Sequence, residues 1–369
     1  MKILLPEKKG YKANLHCHTT GSDGALTPER MKELYKAHGY SILAYTDHAY
    51  MEDRSRLSDE NFVAISGYEN HLEPTWVKGK PRSRECYHLN FYSPKPDKVG
   101  MIGITDYYFD FTTKYYRGLS EMPVNELTGG FFEHTDGGFG VENLNRLLKQ
   151  AKEVGYLVVL NHPDWSGLTP QNFLGIDDYL LGVEIVNYGS AVGGYTPEEE
   201  IYYDLMLRSG QRVFCFANDD NHMEQAKKGW KNINNFPDMS FGAYNIMYPD
   251  KLTYDGVFAC MKEGRFYAST GAEIRGIAVD GEKVYVGAEN AKYIRFVSDC
   301  GSQIRYRKDE NTFSATFDLY RNDEYNERTG YFRIVVEDEN GKKAFSRAYF
   351  LNEFNKQIDP VYLPTRNTI

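Results

Sequence analysis

A chain of 369 residues is too long for one small core and suits one large domain or two medium ones. Its formal charge of −9, with 41% hydrophobic and 26% charged residues, describes an acidic globular protein and disfavours long nucleic acid as a partner. Thirty tyrosines within an aromatic content of 15% favour β-structure and an aromatic-walled cleft.

The opening run MKILL is stopped by Pro6 and the charges after it, so it lacks the apolar core of a signal peptide. No later stretch approaches the roughly 20 apolar residues of a membrane helix. TPERMKELYKAHG (27–39) predicts a helix, with Thr27 as N-cap, Pro28 in the first turn and Gly39 at the stop. YSILAYTDH (40–48), FVAISGYEN (62–70) and YHLNFYSP (87–94) are buried strands ending in, or carrying, polar residues. The segment 105–140 is aromatic, bears Gly129-Gly130 and Gly137-Gly138, and has poor periodicity, so it reads as a functional loop or lid. VENLNRLLKQAKEVG (141–155) is a helix feeding the strand YLVVLNHP (156–163). LGVEIVNYG (181–189) precedes the helix TPEEEIYYDLMLRSG (196–210), whose Thr196 and Glu199 form a capping-box signature, and RVFCFANDDNH (212–222) follows as a strand. Such alternation argues for a parallel sheet covered by helices, open or closed into a barrel.

Beyond a boundary near residues 255–270 the texture changes to alternating strands joined by Asp280-Gly281 and Asn340-Gly341 turns. The expected organisation is an α/β domain over 1–260, with 105–140 inserted, and a small antiparallel β-sandwich over 265–355.

Six of the nine histidines fall at strand ends: His16, His18, His48, His88, His162 and His222. Asp23, Glu69 and Asp220 accompany them. In parallel α/β folds those ends converge on one face, where ligands bind. Along an extended chain, residues i and i+2 share a face, so His16 and His18 point together while Cys17 points away. Singly, each histidine is an ordinary structural or solvated residue; collectively they make a histidine–carboxylate set suited to zinc, manganese or iron(II). The five cysteines (Cys17, Cys86, Cys215, Cys260, Cys300) are scattered and odd in number, which argues for reduced thiols, a cytoplasmic address and no thiolate-rich zinc site.

These motifs are recognisable. H-x-H with a later S-D-G, LTPERM…HGYSILAYTDH, G-Y-E, Y-H-L-N, N-H-P and D-x-H resemble the PHP (polymerase and histidinol phosphatase) family over about residues 10–235. GRFYASTG and the β-rich tail are similar to members with an appended C-terminal β domain. The resemblance implies a distorted (β/α)7 barrel, hydrolysis of phosphate esters and three divalent ions per chain. It implies His16, His18, Glu69 and Asp220 around one ion, with Glu69 bridging to a second held by His88 and His162. Asp23, His48 and His222 would hold the third. Asp23 stands where some members have histidine, and the 105–140 insertion has no counterpart.

Clustered divalent ions neutralise charge on a phosphoryl group and lower the pKa of water, so the implied nucleophile is a metal-bridging hydroxide acting in line. Glu69, Asp220 and His222 form the expected catalytic set, with Asp220 able to manage the proton. Arg54, Arg84, His134 and Lys228 are candidates for substrate binding. The expected substrate is a small-molecule phosphomonoester. The alternatives are a phosphodiesterase acting on nucleotides, an amidohydrolase (whose usual strand-end lysine has no match here) and a non-catalytic metal-stabilised scaffold.

Overall fold

The structure, a computed structural model, describes residues 1–74, 85–133, 138–223, 239–307, 313–319 and 330–353. Its first part comprises β1 (Lys2–Leu5), β2 (Tyr11–Asn14), α1 (Pro28–Ala37), β3 (Tyr40–Tyr45), β4 (Val63–Leu72), β5 (Tyr87–Tyr92), α2 (Asp106–Tyr115), α3 (Val141–Val154), β6 (Leu157–Leu160), α4 (Pro170–Phe173), β7 (Gly182–Asn187), α5 (Tyr188–Val192), α6 (Glu200–Arg208), β8 (Phe214–Asn218), β9 (Tyr244–Met247) and α7 (Tyr254–Glu263). Then follow β10 (Phe266–Ser269), β11 (Glu273–Asp280), β12 (Lys283–Glu289), β13 (Ala291–Ser298), β14 (Gly301–Tyr306), β15 (Phe313–Asp318), β16 (Tyr331–Asp338), β17 (Lys343–Ser346) and β18 (Tyr349–Phe350).

Local signals hold where the chemistry is local. The Thr27 hydroxyl accepts the Arg30 amide, and Gly39 takes the positive φ of +79° that ends α1. Gly281 and Gly341 adopt positive φ at the two hairpin turns. The capping box at Thr196 and Glu199 does not form. Glu199 is itself the N-cap of α6, without a side-chain bond, because its buried carboxylate turns inward to accept the Asp164 amide at 2.8 Å.

Two sheets result. One runs β14-β13-β16-β17-β10-β9-β2-β3-β4-β5-β6-β7-β8, with β18 attached to β16, and the other runs β1-β11-β12-β15. The smaller sheet stacks on the β13–β17 end of the larger around a shared core including Ile277, Val284, Phe296, Phe317, Phe332 and Val336. At the other end, α3 and α6 bury leucines and Tyr203 against β5–β8.

The sheet is mixed, not parallel throughout. β2–β3–β4 and β6–β7–β8 pair in parallel, whereas β5 lies antiparallel between β4 and β6. Nor do the ladders draw the closed barrel that the motifs led one to expect. β8 ends the path, and side chains span the gap to β9 and β2: the Asn245 amide bonds Ala217 N and O, and Asn218 accepts the Leu15 amide. Just past those strands the backbones meet, through the Asp220 amide on His16 O at 3.1 Å and the His18 amide on Asn221 O at 3.0 Å. That junction brings the two richest motifs together.

Candidate metal centre

All nine side chains singled out as ligands converge on one rim, where Asp23, Asp220 and His222 are partly exposed and the other six are buried. His16 and His18 follow β2, and Cys17 between them turns away to donate its thiol to Ala44 O at 3.3 Å. Asp47, after β3, accepts the Thr19 amide and hydroxyl and the Ser22 hydroxyl, fixing the loop that carries Asp23. His88 stands at the beginning of β5. Because β5 runs antiparallel, its first residues share the rim with the last residues of its neighbours. His162 and Asp220 hold positive φ values of +24° and +55°, a backbone conformation that costs free energy and is met where function constrains the chain.

Glu69 is the hub. Its carboxylate lies 3.0 Å from His88 Nδ1, 3.1 Å from His48 Nδ1, 3.4 Å from His18 Nε2 and 3.5 Å from both His16 Nε2 and His162 Nε2. Asp220 Oδ1 approaches His16 and His18 at 3.1 and 3.2 Å, and Asp23 stands 3.5–3.7 Å from His222, His18 and His48. Several of these gaps exceed a hydrogen bond. They suit two ligands on one ion at about 2.1 Å each, which sit roughly 3.0–3.5 Å apart.

A layer of partners orients the imidazoles. Glu184, fully buried on β7, lies 2.9 Å from His16 Nδ1 and accepts the His162 amide. His162 Nδ1 meets Ser166 Oγ, His222 Nδ1 meets Asp220 O, and His48 Nδ1 meets the Tyr108 hydroxyl at 2.7 Å. In each of these four histidines Nε2 is left facing a carboxylate of the cluster. Fixing one ring nitrogen so that the other is presented is how proteins prepare metal-ligating histidines. His18 Nδ1 and His88 Nε2 are buried without a hydrogen-bond partner among the described residues.

The electrostatics point the same way. Burial pushes the Glu69 carboxyl up, but the imidazoles of His88, His16 and His48 outweigh it and hold it well below the carboxylate range. Asp220 and Asp23 are lowered for the same reason. His18 and His88 are both pulled down by burial, yet His18 is raised to about 10 by Asp220, Glu69 and Asp23, and His88 to about 10 by Glu69 and Cys86, while burial leaves His48 at about 3. Three carboxylates in this space call for positive charge, which protons supply or a divalent cation supplies by displacing them. The donor set fits such cations.

The groups divide differently from the implied three sets. His18 stands with Asp23, His48 and His222, and also with His16 and Asp220, so it lies between two of them. His16 groups with Glu69 and His162. His88 keeps its contact to Glu69 but otherwise groups with His71 and Cys86.

A cavity of about 440 Å³ opens over the cluster, walled on one side by Tyr107, Tyr108, Phe111 and Tyr116 and on the other by Trp165 and Tyr195. The first four belong to the segment expected to be a loop, which in fact opens with α2, capped by Thr105. Arg54, expected near phosphate, is buried against Asp47 and Glu52 and does not line the cavity. Arg84, His134 and Lys228 lie outside the described residues. Sequence reasoning missed Glu184 and Tyr108. A lone acid inside the apolar strand GVEIV was the signal for the first; nothing local marks the second.

No protein-family model matches the sequence, and no curated protein is similar to it. Solved structures to which the chain is similar include a two-domain protein of Bacteroides vulgatus containing a predicted PHP-like metal-dependent phosphoesterase. That protein is 13% identical with a TM-score of 0.40, covering 94% of this chain and 98% of its own. A protein of Bifidobacterium adolescentis provisionally described as a metal-dependent phosphoesterase is 14% identical, with a TM-score of 0.33 over 62% of this chain and 91% of that one. An amidohydrolase of Chromobacterium violaceum, solved with sulfate and no metal, is 17% identical, with a TM-score of 0.35 over 57% and 87%. At such low identities and TM-scores these likenesses carry no weight for the chemistry, which stands on the side chains.

Proposed function

We propose that this protein is a metal-dependent phosphoesterase of PHP type, hydrolysing a small-molecule phosphate ester, with a monoester favoured. The observation that carries the reading is Glu69, one buried carboxylate within 3.5 Å of five imidazoles at the floor of an open cavity. In this proposal His16, His18, Glu69 and Asp220 hold one divalent cation, Glu69, His88 and His162 a second, and Asp23, His48 and His222 a third, with zinc, manganese and iron(II) as candidates. Cations bound there supply Lewis acidity toward phosphoryl oxygens and lower the pKa of water.

The chain's own residues do the rest. Asp220, facing the cavity, accepts the proton of the attacking water, and His222, held by its Nδ1 on Asp220 O, keeps its Nε2 turned toward the third cation beside Asp23. Tyr108 orients His48, and Glu184 orients His16. The aromatic side walls exclude water and hold the organic part of the ester. A net charge of −9 supports a small substrate over long nucleic acid. No described helix is long and apolar enough to cross a membrane.

The described cavity wall carries no Lys or Arg, which favours a phosphodiester, with its single charge, as the second reading. The test is elemental analysis of purified, chelator-free protein, then a phosphate-release screen over sugar, nucleotide and amino-alcohol phosphates with a bis-aryl phosphate alongside. Two or three bound ions with turnover of a monoester are expected. Less than one ion per chain, or no hydrolysis with metal restored, overturns the reading.

A further inference from the structure

Beside the nine-residue cluster the polar row of the β4–β5 ladder continues. Glu69 pairs with Asn90 and His71 with His88, so these side chains share one face of the sheet. Cys86 lies just ahead of β5, its amide donated to Ser166 O at 3.1 Å. A ring nitrogen of His71, a ring nitrogen of His88 and the Cys86 sulfur all lie within 4.8 Å of one another. Cys86 and His88 are buried, and His88 Nε2 has no hydrogen-bond partner among the described residues. The Glu73 carboxylate stands 3.6 Å from His71 Nε2, adding an anionic oxygen at the open side.

We propose that His71, Cys86 and His88 form a further site for a thiophilic divalent cation, zinc above all, which shares His88 with the cluster already described. Three ligands of a tetrahedral zinc ion, at about 2.0–2.3 Å from it, stand roughly 3.5 Å apart, so closing this triangle requires only a small rotation of the side chains. Two imidazoles and one thiolate select zinc over manganese or magnesium, which prefer oxygen. On binding, the Cys86 thiol releases its proton to solvent, and its sulfur lone pair is donated to the cation. Cavity-lining His71 and Glu73 give the ion its route in. His88 also touches Glu69, so filling this site draws an imidazole away from the hub of the neighbouring cluster. Excess zinc thereby opposes whatever the cluster does with manganese or iron.

Binding is read without assaying turnover, so this inference and the phosphoesterase reading stand or fall separately. Chelator-stripped full-length protein is titrated with cobalt(II) alone. A thiolate-to-cobalt charge-transfer band should grow in the near ultraviolet and be absent from Cys86→Ser. In the unaltered protein, zinc should slow alkylation of Cys86, read by peptide mapping, by about tenfold or more, because a ligated thiolate is no longer free to attack. Absence of the band at saturating cobalt, or its persistence unchanged in Cys86→Ser, overturns the proposal. So does unprotected alkylation of Cys86, a readout that does not depend on the variant folding.

Discussion

Glu184 and His16, both fully buried, face each other at 2.9 Å across the gap between β7 and the end of β2. The same carboxylate accepts the His162 amide and binds the side chains of Asn187 and Asn218, so it fixes the position of two cluster residues at once. Replacing Glu184 with glutamine keeps the shape but puts an NH₂ group where one of these donors now points. Metal affinity should fall about 10–100-fold, the usual effect of losing an outer partner. Calorimetric titration with manganese measures it, and an unchanged affinity would show that Glu184 merely fills space.

Glu69→Gln should be more severe. It removes the charge at the point where five imidazoles meet, so at least one ion should be lost and turnover should drop by more than about 100-fold. Near-normal turnover with full metal content would contradict the assignment.

Tyr107 and Phe111 face the cavity from α2 and carry nothing of the cluster. With both replaced by alanine, KM for an aryl phosphate should rise about tenfold, corresponding to one or two lost aromatic contacts. A small alkyl phosphate should respond little. Equal effects on the two substrates would make α2 a structural cover and not a specificity wall.

Arg333 of β16 is wholly buried and grips α6, bonding Asp204 through Nε and Nη2 and Glu200 through Nη2. Arg333→Met strips Asp204 of its guanidinium partner and leaves Glu200 with Arg295 alone, and urea unfolding at neutral pH should show a loss of about 3 kcal/mol. Burial pushes the Glu200 carboxyl up, but Arg333 and Arg295 outweigh it and hold it below its ordinary value of 4.5. Its contribution is therefore complete above that value and fades as acidification passes the lowered folded one. The gap between wild type and variant should narrow in that acidic range; a gap independent of pH would point to packing alone.

What the sequence showed was what its neighbours in sequence decide. The Thr27 cap, the glycine turns and the H-x-H alternation each depend on residues a few positions apart, and the structure keeps them. Helix α2 was hidden because it is apolar on two faces: Phe109 packs into the core while Tyr107 and Phe111 look into the cavity. No single stripe of period 3.6 survives that double duty. The direction of β5 was equally illegible, since a strand's pattern is the same read either way. Arg54 looked available for phosphate only because its burial beneath Asp47 is a tertiary fact.

The first strand of the chain has a partner very far away. β1 pairs with β11, Lys2 opposite Val279 and Ile3 opposite Ala278, so the opening residues form the edge of a sheet otherwise built from the last third. On the ribosome those residues are made more than 270 residues ahead of their partners and must wait for them, on the order of tens of seconds at ordinary elongation rates. Until then Leu5 has no core to enter. The α/β part can assemble meanwhile, but the sandwich cannot be finished until the nascent chain turns back to collect β1.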